Sequence, residues 1–117
     1  MNYNIHSNGN APDCLLTLTL PSSLEEEVLD TLMTHPDLAR GFTVLKAQGM
    51  GLHVELASAM ERVQGRAQRV VVQVAMEQSK VDSLIAVLQA DFDSPQITYW
   101  VVPLLAFGKL GKSHHAA

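Results

Sequence analysis

RVVVQVAMEQSKVDSLIAVLQA, Arg69–Ala90, is the stretch on which the fold turns. It opens as a strand. Val70, Val72 and Val74 fall on one side, and Val71, Gln73 and Ala75 on the other. Then the period changes. Val81, Leu84, Ile85 and Leu88 recur at the spacing of one helix face, with Ser79 and Lys80 near the start. A strand that runs into a helix within so few residues is half of a βαβ unit.

Working outward, a turn cluster over Asp91–Pro95 leads into ITYWVVP, Ile97–Pro103, a strand. Upstream, GFTVLKAQGMG, Gly41–Gly51, supplies a strand over Phe42–Gln48. The first strand is CLLTLTL, Cys14–Leu20, with Leu16, Leu18 and Leu20 on one face and Leu15, Thr17 and Thr19 on the other. Pro21-Ser22-Ser23 switches the period, and Ser22 is placed to cap a helix. Glu25, Glu26 and Glu27 then occupy the first turn, where the helix dipole favours acids. Leu24, Val28, Leu29 and Leu32 form the apolar stripe, and His35-Pro36 ends the helix. The order is βαβ followed by βαβ. It predicts an α+β ferredoxin-like sandwich, a four-stranded antiparallel sheet with both helices on one face. Residues 1–12 read as a flexible tail, 13–111 as the single domain, and 112–117 as a second tail.

A chain of 117 residues with 47% hydrophobic content has enough apolar material for a core. The net charge of −4 argues against a nucleic-acid partner. One cysteine, Cys14, has no partner within the chain and suits a reducing, cytoplasmic setting. It shares a strand face with Leu16 and Leu18 and reads as a buried thiol. MNYNIHSNGNAP lacks the pattern of a secretory leader, and no apolar run is long enough to span a bilayer.

If both helices cover one face of the sheet, the other is open. That face is not polar. Val71 and Ala75 lie on one side of the third strand, and Trp100 and Val102 on one side of the fourth. Apolar surface left in water forfeits about 25 cal/mol per Å². Either a second copy of the chain covers this face, or the segment Leu104–Leu110 folds back over it.

Candidate chemistry is sparse. Gln48, Gly49, Met50 and Gly51 end the second strand. Glycines there admit close backbone approach to a ligand, or mark a bulge or bend. The following loop, 52–66 within a span of 51–67, carries Glu55, Glu61, Arg62, Gln64 and Arg66 and suits either partner docking or plain solvation. His53 and Glu55 are two apart, half of a site for zinc, copper or nickel. His114 and His115 sit in the terminal tail. No nucleophile motif, Walker loop or HExxH occurs, so the chain reads as a non-enzyme with no cofactor specified.

GFTVLKAQGMG resembles the second strand and loop entry of the PII signalling proteins. The resemblance continues through Arg69–Ala90 and YWVVP, covering about Cys14 to Gly111. Within that group the chain is most similar to the proteobacterial domain-of-unknown-function family 3240, whose members are associated with heavy-metal efflux. The resemblance implies a homotrimer with an effector at intersubunit clefts, held by Gln48–Gly51 and Lys109. It also implies a target, a protein or membrane transporter, bound through Glu55, Glu61, Arg62 and Arg66. The chain departs from the PII pattern in its cations. Leu52 and His53 stand where an arginine follows the glycines, Thr98 stands near a lysine position, and AFGKLGK replaces an arginine pair. The loop also lacks a tyrosine. An alternative resemblance, to the trimeric CutA group, implies a divalent-metal protein with His53, Glu55 and His35 as ligands.

Overall fold

A computed structural model describes residues 11–50, 56 and 58–111. The strands are β1 (Cys14–Pro21), β2 (Thr43–Gly49), β3 (Ala67–Met76) and β4 (Thr98–Pro103). The helices are α1 (Glu25–Met33), α2 (Ala59–Gln64) and α3 (Val81–Asp91). The strands form one antiparallel sheet in the order β2-β3-β1-β4, the ferredoxin-like arrangement.

The two central strands build the core. Leu16, Leu18 and Leu20 lie beside Val74, Val72 and Val70 in the β1–β3 register, and all six are essentially inaccessible to water. Val28 and Leu32 of α1 join Val81, Leu84, Ile85 and Leu88 of α3 against this face. Each such side chain contributes roughly 1.5–3 kcal/mol on burial, and together they hold both helices on the same side. Cys14 lies in the same cluster, and its Sγ donates to the Met76 carbonyl at 3.4 Å.

Local chemistry sets the ends of the helices. α1 is entered differently from the expectation. Ser22–Leu24 form a 3₁₀ turn, and no side chain caps α1 at Leu24. The tighter turn replaces the Ser22 cap, and the N–H of Glu25 bonds back to the Ser22 carbonyl. The approach to α3 is held from a distance. Asp13 Oδ1 accepts the N–H of Gln78 at 2.7 Å, while the Asp13 backbone bonds to Met76 O and Leu104 N. Lys80 Nζ reaches Glu77 at 3.1 Å and the carbonyl of Asp37 at 3.1 Å, joining the two βα halves.

The segment read as a loop without regular structure contains α2. Ser58 Oγ accepts the N–H of Glu61 at 3.1 Å, capping the first turn. Gly65 ends the helix in the left-handed region, at φ 67°. Ser58 and Glu61 stand at the S-x-x-E spacing of a capping box, a start signal that the polarity of the stretch obscured.

Among the described residues no helix covers the second sheet face. Register places Thr43, Gln73, Thr17 and Trp100 in one row, and Leu45, Val71, Thr19 and Thr98 in the next. Leu45 is 48% exposed and Trp100 49%. The segment after β4 does not cover them: Leu105 is 76% exposed, and Phe107 and Leu110 also face solvent. Of the two sequence readings of this face, self-coverage by the tail is the one that fails. Among the described residues no helix is long and apolar enough to cross a membrane.

Candidate functional site

β2 pairs with β3 without interruption from Thr43 opposite Gln73 to Gly49 opposite Ala67. Gly49 therefore marks no bulge; it continues the strand. Beside this end of the sheet, on the open face, lies a cavity of about 290 Å³. Gln48 and Gly49 border it from β2, Arg69 from β3, Thr19 from β1, and Gln96 and Thr98 from the entry to β4.

Arg69 organises the cavity. Its Nη2 donates to Thr19 Oγ1 at 3.1 Å and to the Gln96 carbonyl at 2.7 Å. Thr19 Oγ1 in turn lies 2.6 Å from Thr98 Oγ1, sharing one hydrogen. The guanidinium of β3 is thus held between β1 and the turn that enters β4 by neutral acceptors. Partial burial lowers the Arg69 pKa below the usual guanidinium range, and the negative charge of Glu61 acts in the opposite direction. Guanidinium stays charged at neutral pH regardless.

Two contacts tie α2 and the residues just after it to the neighbouring strands. Arg66 Nη1 donates to Gln48 Oε1 at 3.0 Å. Glu61, only 6% exposed, accepts the N–H of Gln68 through Oε2 at 2.9 Å. The expected docking residues therefore separate. Arg62 is exposed on α2, Arg66 is tied to Gln48, and Glu61 is turned inward as a structural and electrostatic partner.

Of the expected effector residues, Gln48 and Gly49 line the cavity. Met50, 68% exposed, and Lys109 in the segment after β4 are not among its lining residues. Gly51, His53, Glu55, His114 and His115 lie outside the described residues. His35 Nδ1 sits 2.9 Å from the Thr31 carbonyl and 3.1 Å from Thr34 Oγ1, a local contact at the end of α1. Among the described residues no group of three or more His, Cys, Asp or Glu gathers to hold a metal. Sequence reasoning missed Arg69, Thr19 and Gln96. The available signal was a cation on the open-face side of a strand otherwise rich in valine.

The strand order and the two long helices define an α+β protein of the ferredoxin-like class. More narrowly, the chain belongs to the DUF3240 family, described as a protein of unknown function, whose model matches residues 10–111. The structure is similar to that of a DUF3240 family protein from Shewanella baltica OS155, with a TM-score of 0.69 and 17% identity over 86% of this chain and 99% of that one. It is also similar to CPII, a nitrogen regulatory PII-like protein from Thiomonas intermedia K12 bound to ADP, AMP and bicarbonate. There the TM-score is 0.60 and the identity 19%, over 81% of this chain and 92% of that one. CutA1 from Oryza sativa gives 0.64 and 11%, over 88% of each chain. At these identities the likeness shows the fold. No curated protein matches the chain.

Proposed function

We propose that this protein is a PII-like regulatory protein, a non-enzyme that assembles as a homotrimer and binds a small effector at the clefts between subunits. The observation that carries the reading is the open sheet face. It is apolar at Leu45, Val71, Trp100 and Val102, no segment of the described chain covers it, and it ends at the Arg69 cavity. A second copy laid on this face would bury the apolar rows and turn a shallow cavity into a walled cleft. The segment 52–66, tied to the cavity residue Gln48 through Arg66, would report occupancy to a target protein. The bound ADP, AMP and bicarbonate of CPII support an effector of nucleotide or oxyanion character. The lone buried thiol is in keeping with a cytoplasmic setting.

The test is the mass of the assembly in solution, followed by thermal unfolding with ADP, AMP, bicarbonate, zinc, copper and nickel in turn. The expected mass is three times that of the chain. A ligand that binds only the native state raises the melting temperature, by the equivalent of about 2.7 kcal/mol at a hundredfold excess over Kd. A monomer would overturn the assembly. Stabilisation by a metal alone, abolished by His53→Ala, would replace this reading with the divalent-metal one.

A further inference from the structure

A second cavity, of about 120 Å³, lies on the helix side of the sheet, between α1, α3 and the edge strand β4. Its inner walls are Leu18, Val28, Ile85 and Leu88, each at most 9% exposed. These side chains offer water no hydrogen bond, and a buried water needs about two to four. The interior is therefore a place for apolar atoms. An engineered cavity of about 150 Å³ with similar walls takes benzene. The gap follows from topology. β4 ends the sheet, so the helix-side row stops at Tyr99, opposite Leu18, with no strand beyond it. The rim is fixed by its own hydrogen bonds. The Phe92 N–H bonds to Leu88 O at 2.8 Å, and the N–H groups of Gln96 and Ile97 both bond to Ser94, at 3.2 Å each.

The mouth is electronegative. It opens at the C-terminal end of α3, where unpaired carbonyls carry the negative end of the helix dipole. Basic residues commonly offset that charge, but the last turn of α3 has none. Asp91 ends the helix instead, and Asp93 lines the mouth. Asp93 is exposed, and no described residue pairs with it. No lysine or arginine is among the lining residues. Tyr99, half exposed at the rim, adds an aromatic ring whose face attracts cations.

We propose that this cavity binds a small primary amine carrying one aromatic ring or a short branched alkyl group. The apolar part sits between α1 and α3, and the ammonium sits at the mouth with Asp93 and Tyr99. The site lies across the sheet from the Arg69 cleft and needs no second copy of the chain. Burial of the apolar group supplies the affinity. The carboxylate, the ring and the helix end select the charge. A carboxylate on the same ring would meet Asp93 and the end of α3 as like charges and be rejected.

The experiment is methyl NMR of the full chain, titrated with benzylamine, benzyl alcohol and benzoate at neutral pH and constant ionic strength. The three share one ring and differ in the charge beside it. Benzylamine should bind saturably and move the methyl signals of Leu18, Val28, Ile85 and Leu88, leaving Leu45 and Val71 on the open face unmoved. Benzyl alcohol should bind several-fold more weakly, and benzoate at least about tenfold more weakly. Asp93→Asn should lower the affinity for benzylamine by about three- to fivefold and leave that for benzyl alcohol unchanged. Leu88→Phe fills the cavity and should abolish binding. Val28→Leu, a milder filling by one methylene, should weaken it several-fold and serves if Leu88→Phe does not fold. Absence of saturable binding overturns the proposal, as does binding indifferent to both filling variants. Tightest binding by benzoate, equal binding of benzylamine and benzyl alcohol, or indifference to Asp93→Asn overturns the choice of an amine. Shifts at Leu45 and Val71 instead would mean adsorption to the open face, and the proposal fails. Binding seen only in a monomeric Trp100→Glu variant would mean that a neighbouring copy closes the mouth, and the proposal fails for the assembled protein.

Discussion

Trp100 stands directly opposite Thr17 in the β1–β4 ladder, on the sheet face that no described helix covers. Half of its surface is in water. Covering the exposed half of one tryptophan removes on the order of 100 Å² of largely apolar area, about 2.5 kcal/mol. Trp100→Glu should therefore shift the assembly towards monomer. In the wild type, the single tryptophan should emit at short wavelength when assembled and shift to longer wavelength on dilution. Light scattering checks the first outcome and fluorescence the second. A wild-type protein that stays monomeric at high concentration would contradict both.

Asp13 ties together segments that are distant in sequence. Its carboxylate accepts the Gln78 N–H, while its backbone bonds to Met76 and Leu104. Asp13→Ala should cost about 1 kcal/mol, as for loss of a helix cap, and lower the melting temperature by roughly 4 °C. Asp13→Asn retains the acceptor and should recover most of the loss. Equal destabilisation by the two variants would mean that the carboxylate charge, and not the hydrogen bond, is what counts.

The Cys14 thiol is raised above its usual 9.0, chiefly by burial and secondarily by the charge of Asp13. The sign follows from linkage. The folded state holds the thiol proton more tightly than the unfolded chain does. The resulting stability is fully present below pH 9 and falls as pH rises through the ordinary thiol range towards the folded value. The slope should not exceed about 1.4 kcal/mol per pH unit. Urea unfolding between pH 8 and 10 should show wild type losing stability faster than Cys14→Ala. Parallel curves would remove Cys14 as the cause. In the native protein the thiol should also resist aqueous thiol reagents.

Gly65 closes α2 at φ 67°, and nothing within 4 Å would meet an added Cβ. The cost of Gly65→Ala is then purely conformational, about 1 kcal/mol, and Gly65→Asn should cost less. Because α2 is short, the loss should appear first as faster amide exchange over Ala59–Gln64. It should reach global stability only weakly. Unchanged exchange in Gly65→Ala would show that α2 is not held by its cap.

What the residues alone determined is local in origin. The alternation at Leu16, Leu18 and Leu20 and the helical spacing of Val81, Leu84, Ile85 and Leu88 are properties of neighbours in the chain. Each of these side chains is buried as its period requires. The order of such segments, with right-handed crossovers, was enough for the fold and for an open apolar face. The end of β2 at Gln48 and Gly49 was legible as a place to look. α2 was legible in principle, through Ser58 and Glu61, but two capping residues compete poorly with the polarity of a whole segment.

The site itself came only with tertiary structure. Thr19 lies 50 residues before Arg69, and Gln96 lies 27 residues after it. No periodicity relates positions so far apart. β3 brings Arg69 to the face shared with Thr19, and β4 pairs with β1 on its other side, so register alone makes them neighbours. The inward turn of Glu61 has the same cause, since its partner is the backbone of Gln68 at the head of β3. Periodicity reports which face of an element is apolar. Register between distant strands decides which polar groups meet on it, and that is set by the packing of the whole sheet.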